Sequence, residues 1–469
     1  MTLDDSTKRA LPWLVAIAFF MQTLDGTILN TALPAMARDL GESPLRMQSV
    51  VIAYMLTVAL LIPASGWLAD RFGTRRMFVT AILLFSLGSL LCALSRALPQ
   101  LVAARVVQGI GGALLLPIGR LAILRGFPRS ELLKALAFVT IPGLLGPLVG
   151  PTLGGWLVEV ATWHWVFLIN LPVGLLGIVF SLRFMPDMRG AGGRFDWPGF
   201  VLFSLGLVLV SLALQGLGEH AISVAASILM LVAGLAAVIG YWLHAARAPQ
   251  PLFSLALFQI PTFSIGIAGN LFSRLGSGAM PFLMPLFLQV GLGYAPATAG
   301  MSMIPTALGA MLCKTFAPQV IDRFGYRLVL SSNTLLLGLM IASFALIGHD
   351  APHLLILAML GVFGVINSLQ FTAMNTLTLG DLDDVNASSG NSLLSVVMQL
   401  SMSLGVAAGA ALLVAFTGAA SVAQGTETLQ AFHATFLCVG LLSAVAACIF
   451  LQLGRGEAPG GKPSVLDES

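Results

Sequence analysis

The sequence predicts an all-α polytopic membrane protein of the two-bundle kind: two six-helix bundles plus two extra central spans, about fourteen transmembrane helices, with both termini cytoplasmic. Three observations predict it. Hydrophobic residues make up 57% of the 469 and charged residues only 9%, against roughly 25% charged in a water-soluble domain. Apolar windows of about 20 residues, the length that crosses a bilayer core, recur along the whole chain. The basic residues fall on alternate connections, as the positive-inside rule requires.

Taken in order, the apolar windows lie near 11–33, 48–69, 77–95, 98–119, 134–158, 164–184, 198–216, 222–244, 262–290, 297–318, 328–348, 353–378, 389–416 and 430–453. The first follows only Lys8 and Arg9 and has no small-residue cleavage site, so it reads as a retained span. Of the 23 Lys and Arg residues, 17 fall on the cytoplasmic side, including Arg455 and Lys462 near the C-terminus. Arg38, Arg46 and Arg96 fall outside, and Arg105, Arg274 and Lys314 fall within spans. An odd number of spans would scramble this asymmetry.

The longest cytoplasmic connections, near 185–197 and 245–261, flank spans seven and eight. The expected organisation is therefore 1–185 as an N-terminal six-helix bundle, 186–261 as two inserted spans with their linkers, and 262–469 as a C-terminal bundle with a short tail. An internal repeat supports two similar halves: Asp-Arg-Phe-Gly follows the second span at Asp70–Gly73 and recurs at Asp322–Gly325. Such repeats are typical of carriers whose halves rock about a central site.

An ionisable side chain within the bilayer costs about 2.5–3.5 kcal/mol on insertion scales, so it faces a cavity or a partner. Asp25 lies roughly 12 Å from the outer end of span one and Arg105 roughly 10 Å from the outer end of span four, at 1.5 Å per residue. Their depths match and their charges oppose. Burial favours the protonated carboxyl and a nearby guanidinium the ionised one. Two readings stay open: a proton switch that separates the pair, or a permanent ion pair that ties the two spans together.

Arg274 sits roughly 18 Å into span nine with Asn270 one turn before it and no acidic residue in that span. An unpaired Arg there suits an anionic or carbonyl-rich substrate group, or else pairs with helix carbonyls or with an acid from another span. Asn30, Gln108, Asn367 and Gln399 are further polar candidates for the substrate. The polar runs 367–375 and 391–403 read mainly as interhelical hydrogen bonds, and Lys314 as a side chain snorkelling to the interface.

In 143–155, GLLGPLVGPTLGG, Gly146, Gly150 and Gly154 recur every four residues on one helix face, with Pro147 and Pro151 beside them. The spacing predicts close helix packing, weakened where the helix can bend. Gly66, in GWLADRFGTRR (66–76), is read as letting two helices approach. Asp70 is read as pairing with a helix N-terminus, Arg71 or Arg75.

Several function classes are excluded. No basic run interleaves with aromatics, so nucleic acid is not a partner. The four cysteines form no CxxC pair, and no histidine has a Cys, Asp or Glu at metal spacing. No nucleophile–base constellation and no GxxxxGK[ST] loop appears, which argues against an enzyme and against nucleotide hydrolysis. Any transport is expected to run on an ion gradient, without a cofactor.

These stretches together resemble the major facilitator superfamily and, within it, the fourteen-span drug:proton antiporters. LDGTILNTALP (24–34) resembles the first-span motif, GWLADRFGTRR the loop after span two, and LVAARVVQGIGGA (101–113) the span-four motif. GLLGPLVGPTLGG resembles the span-five antiporter motif, followed by WHWVFLINLPVG (163–174). The resemblance implies a proton-coupled exporter of small molecules, drugs or other amphipathic compounds. It further implies a monomer working by alternating access in a bacterial inner membrane. Carried over by motif position, Asp25 and Arg105 are the proton-coupling residues. Gly66, Asp70, Arg71, Gly73 and Arg75, with Asp322 and Arg323 in the second copy, are gating residues. Gly143, Gly146, Pro147, Gly150, Pro151, Gly154 and Gly155 form the antiporter helix. One departure is that the second loop, from Pro318, lacks the leading glycine. Another is that the spans hold Arg105 and Arg274 and few acids besides Asp25. This leaves an alternative: a transporter of an organic anion such as citrate or a metal–carboxylate complex.

Overall fold

The structure is a computed structural model that describes residues 4–190, 193–219, 223–383, 386–417 and 426–454. Among the described residues every regular element is a helix. The membrane-length helices are α1 (Asp5–Leu40), α2 (Gln48–Phe72), α3 (Thr74–Ala93), α4 (Leu98–Gly126), α5 (Arg129–Val160), α6 (Asn170–Phe184), α7 (Trp197–Glu219) and α8 (Val224–Ala245). There follow α9 (Pro261–Leu286), α10 (304–324), α11 (326–343), α12 (His353–Gly380), α13 (Ala387–Thr417) and α14 (Thr426–Val445).

By length and hydropathy alone there are thirteen apolar segments, one of which, Pro296–Leu346, has 51 residues. At 1.5 Å per residue it would run roughly 77 Å, more than twice the ~30 Å hydrocarbon core. It breaks at Gly325, whose φ of 75° and ψ of 158° are not helical. Counted through that break, the described residues hold fourteen apolar segments of membrane length. Gly73 breaks α2 from α3 in the same way, with φ 95° and ψ 146°. Both glycines close an Asp-Arg-Phe-Gly copy. The repeat seen in sequence is therefore a repeat of backbone conformation, at positions where a residue with a Cβ is strained. Arg455 and Lys462, assigned above to the cytoplasmic side, lie outside the described residues.

The helices form two compact units. The first is Met1–Phe195 with the short segment Ala295–Met301. Its largest interface joins α1 to α5. A Cβ on Gly143, Gly146, Gly150 or Gly154 would overlap Phe19, Thr23, Thr27 or Ile28 of α1, so the glycine face is what lets the two helices touch. Thr27 Oγ1 donates across this seam to the Gly146 carbonyl at 3.2 Å. The helix stays continuous through Pro142, Pro147 and Pro151. Gly155 faces elsewhere, against Pro296 and Ala297. There the Ala297 N–H donates to Glu159 Oε1 at 2.7 Å, and Thr152 Oγ1 donates to the Gly300 carbonyl at 3.4 Å. The core of the unit, with Leu11, Val15, Phe78, Phe85, Leu115 and Ile118, lies among α1, α3 and α4.

The second unit is Asp196–Tyr294 with Ser302–Ser469. It repeats the pairing of first with fifth helix, since α9 packs on α13. Gly405 and Gly409 of α13 make this contact, against Leu275, Ala279 and Leu283. The helices α7 and α8 pack on each other, and α7 also packs on α13. Asp196 anchors the start of α7, accepting from the Gly199 and Leu252 amides and from His244 Nε2 at 2.7 Å.

Two local expectations are corrected. A Cβ on Gly66 would meet nothing within 4 Å, so this glycine is not a close-approach point; it lies on an exposed face of α2. Asp70 pairs with neither Arg71 nor Arg75 but with Arg125 near the end of α4.

Replacing Gly150 with Val wedges α1 from α5 and should destabilise the unit by about 1–3 kcal/mol, the usual cost of overpacking. Gly66→Ala should change nothing. Thermal unfolding of the purified protein in detergent checks both, and equal melting temperatures for Gly150→Val and the parent would remove the seam from the account.

Candidate functional site

Asp25 and Arg105 meet. Each is about 1% exposed, and Arg105 Nη1 lies 2.7 Å from Asp25 Oδ2. Helices α1 and α4 bring them together because α4 is itself rich in small residues. A Cβ on Gly109 or Gly112 would crowd Thr57 or Tyr54 of α2, and one on Gly111 would crowd Phe85 of α3.

Arg105 directs Nη1 and Nε into the protein. Nη1 also reaches Gln108 Oε1 at 2.6 Å, and Nε reaches the Val50 carbonyl at 3.3 Å. The guanidinium carbon sits 4.2 Å from the centre of the Tyr54 ring, a cation–π contact made in a dry site. The carboxylate is caged as completely. Gln108 Nε2 donates to Oδ1 at 2.8 Å, and Asn170 Nδ2 donates to the same oxygen at 3.0 Å. Ser89 Oγ on α3 accepts from both amides, at 2.8 Å from Gln108 and 3.2 Å from Asn170.

Gln108, expected at the substrate, is thus fully buried with both ends of its amide held by protein groups. Asn30 does not bond across helices either. Its Nδ2 donates to the Gly26 carbonyl of its own helix at 3.4 Å, and its Oδ1 is buried without a partner. Sequence reasoning missed Ser89, Tyr54 and Asn170. The one signal for Asn170 was its place in WHWVFLINLPVG.

The loop residues form a second cluster in the first unit. Arg75 Nε donates to the Met185 carbonyl. Thr74 Oγ1 donates to the Pro186 carbonyl at 2.6 Å and accepts from the Met188 amide at 3.0 Å. The Thr74 amide donates to the Met188 carbonyl at 3.0 Å. Trp67 Nε1 donates to the Gly193 carbonyl at 3.1 Å. The segment after α6 therefore straps the loop between α2 and α3, and a Cβ on Gly73 would strike Asp187. In the second unit Asp322 and Arg323 are exposed. Arg323 lies 5.7 Å from the Phe324 ring, and among the described residues neither makes an ion pair.

Arg274 is 8% exposed. Its Nε donates to Asn270 Oδ1 at 2.9 Å, and its guanidinium lies 4.6 Å from the Phe371 ring of α12. Asn270 in turn reaches the Gly266 carbonyl at 2.9 Å and Thr378 Oγ1 at 3.4 Å. Arg274 Nη2 and Asn375 Oδ1 are buried without a partner. Asn367 and Gln399 are half-buried. The polar runs divide: Ser368 reaches the Ala310 carbonyl and Gln370 reaches Asn333 and Thr334 across helices, whereas Ser395 and Ser401 bond within their own helix. Among the described residues no group of His, Cys, Asp or Glu is arranged to hold a metal.

The family model described as Major Facilitator Superfamily matches residues 15–378. The chain belongs to the major facilitator superfamily. It is 50% identical over 441 residues to "Putative multidrug resistance protein MdtD" of Serratia proteamaculans, covering 94% of this chain and 92% of that one. It is 49% identical over 456 residues to the protein of the same name from Salmonella heidelberg, covering 96% of each. Among solved structures, a POT family transporter in complex with 5-aminolevulinic acid superposes with a TM-score of 0.70 at 17% identity, over 94% of this chain and 95% of that one. A D-xylose-proton symporter does so with 0.68 at 14%, over 97% and 99%. These last likenesses carry the fold alone. The family membership and the many apolar helices make this a multi-pass transporter of the bacterial inner membrane, not an enzyme.

Removing one partner of a buried ion pair costs about 3–5 kcal/mol, because the other charge is left unpaired. Arg105→Gln and Asp25→Asn should therefore each destabilise the protein strongly, and combining the two should recover most of the loss. A double-mutant cycle on thermal unfolding measures this. Strict additivity would mean that the two charges do not sense each other.

Proposed function

We propose that the chain is a proton-coupled exporter. Protons enter from outside and are exchanged, by alternating access, for an amphipathic small molecule leaving the cytoplasm. In this reading both termini are cytoplasmic, the bundles 1–185 and 262–469 move against each other, and the working form is a monomer that uses the proton gradient and no cofactor. The observation that carries it is Asp25: among the described residues it is the one carboxylate buried inside a membrane-length helix, and it lies against a buried arginine.

The coupling follows from charge. Two unit charges about 4 Å apart attract by about 4 kcal/mol at an effective dielectric constant near 20. Protonating Asp25 removes that attraction. At 1.36 kcal/mol per factor of ten, this is roughly a thousandfold in any equilibrium between a state that keeps the pair and one that parts it. A group that is neutral when protonated and paired when ionised links proton binding to shape without a further device. The strap on the loop after α2 and the Asp70–Arg125 pair would hold the cytoplasmic end, and the segment on Gly155 the opposite end, in one of the two states.

A second reading has its own observation. Arg274 is buried over Phe371 with one nitrogen unpartnered and no acid beside it, which favours an organic anion as cargo.

Everted vesicles carrying the protein, with an acid interior, test both. Addition of ethidium should release protons, read by a pH-sensitive dye, and Asp25→Asn should abolish the release. An Asp25→Asn protein that exchanged as well as the parent would remove Asp25 from the mechanism. If carboxylates release protons and ethidium does not, and Arg274→Ala loses the response, the anion reading replaces the first.

A further inference from the structure

Asn170 belongs to a motif that the exporter reading leaves without a role. It is 2% exposed and is the first residue of α6; Ile169 before it is still helical, with φ −60° and ψ −24°, and follows the short helix Trp165–Leu168. The turn before that short helix is tied back to α1, because Trp163 Nε1 donates to Asp39 Oδ2 at 2.8 Å. Asn170 is thus held at a fixed place along α1, and that place is Asp25.

We propose that Asn170 is a positioning residue that sets how readily Asp25 takes a proton, with Ser89 fixing which end of its amide faces the carboxylate. The inference rests on the reading of Asp25 as the coupling acid. Asn170 Nδ2 has two hydrogens: one goes to Asp25 Oδ1 at 3.0 Å, the other to Ser89 Oγ at 3.2 Å. Because Ser89 accepts, the amide presents N–H to Asp25, and the bond stabilises the ionised carboxylate. Gln108 donates to the same oxygen, but its carbonyl end is held by Arg105 at 2.6 Å. Turning Gln108 over would break that bond. Asn170 has no tie to the arginine, so its bond to the carboxylate can be removed without disturbing the Arg105–Gln108 contact.

The other groups around Asp25 are few. Arg105 from α4 is the one ionised neighbour. Tyr54 from α2 lies over Arg105, and Cys92 from α3 lies 3.9 Å from Gln108 Oε1. The other charged residues of α1 itself, Asp5, Lys8, Arg9, Arg38 and Asp39, lie toward its ends. So do Lys134, Glu131 and Glu159 of α5, Arg75 and Arg76 of α3, and Arg183 of α6.

The test reads Asp25 directly. The carboxylic C=O stretch of the purified full-length protein is followed by infrared difference titration, and the Asp25 band is assigned by its loss in Asp25→Asn. Asn170→Ala should move the midpoint of that band to higher pH by about one unit, a tenfold gain in proton affinity. A band that appears in Asn170→Ala over a range where the parent shows none counts as the same shift. Asn170→Asp, which sets a second carboxylate beside the first, should move it further. Ser89→Ala keeps both amides but frees their orientation, and should give a smaller shift in the same direction. If Asn170 variants do not purify as a single species, Ser89→Ala decides. Unchanged midpoints in the well-folded variants would overturn the proposal and leave Asn170 as packing. The titration involves no transport. Loss of the exporter reading, through an Asp25→Asn protein that still exchanges protons, would leave the band shifts where they are.

Discussion

A charge buried in a bilayer must find its counter-charge and all its hydrogen bonds inside the protein, and the first unit is built around that demand. Asp25 and Arg105 meet it with Gln108, Asn170, Ser89, the Val50 carbonyl and the face of Tyr54. Four helices and α2 must come close enough for these short side chains to reach one another. That is why α4 carries glycines against α2 and α3, and why α5 presents a glycine face to α1. The seam and the ion pair are one design: without close backbones the carboxylate would need water, and without the pair the close backbones would have no charge to hold.

The second unit uses the same scaffold for a different end. Its first helix again packs on its fifth through glycines, here Gly405 and Gly409. The polar residue at its centre is an arginine with an asparagine and an aromatic ring for company, and one guanidinium nitrogen is left over. One unit pairs its buried guanidinium with a carboxylate, and the other leaves one guanidinium nitrogen without a partner; in the proposed reading these are two tasks, holding a charge and offering one.

Much of this was legible in the sequence. Hydropathy and the alternation of basic loops give the helices, because both depend only on composition along the chain. The meeting of Asp25 and Arg105 was foreshadowed by depth, since a helix rises a fixed distance per residue. The glycine spacing in 146–154 translated directly into a packed face. What could not be read was which helix supplies the other hydrogen bonds. Asn170 and Ser89 are ordinary polar residues until tertiary structure puts them on Asp25. Gly66 was misread because a glycine in a charged loop looks like a contact, and Asp70 because its partner Arg125 is 55 residues away. Gly73 and Gly325 were seen as parts of a repeated word, and the backbone angles explain why the word ends in glycine.

The strap after α6 has one more implication. It holds the loop between α2 and α3 mainly through its own main chain: the carbonyls of Met185, Pro186, Met188 and Gly193 and the amide of Met188. Peptide groups are the same whatever side chain they carry. The ruler in this segment is therefore the number of residues between Met185 and Met188, more than their identity. Inserting or deleting a single residue there would throw the bonds out of phase, while many substitutions would leave them in step.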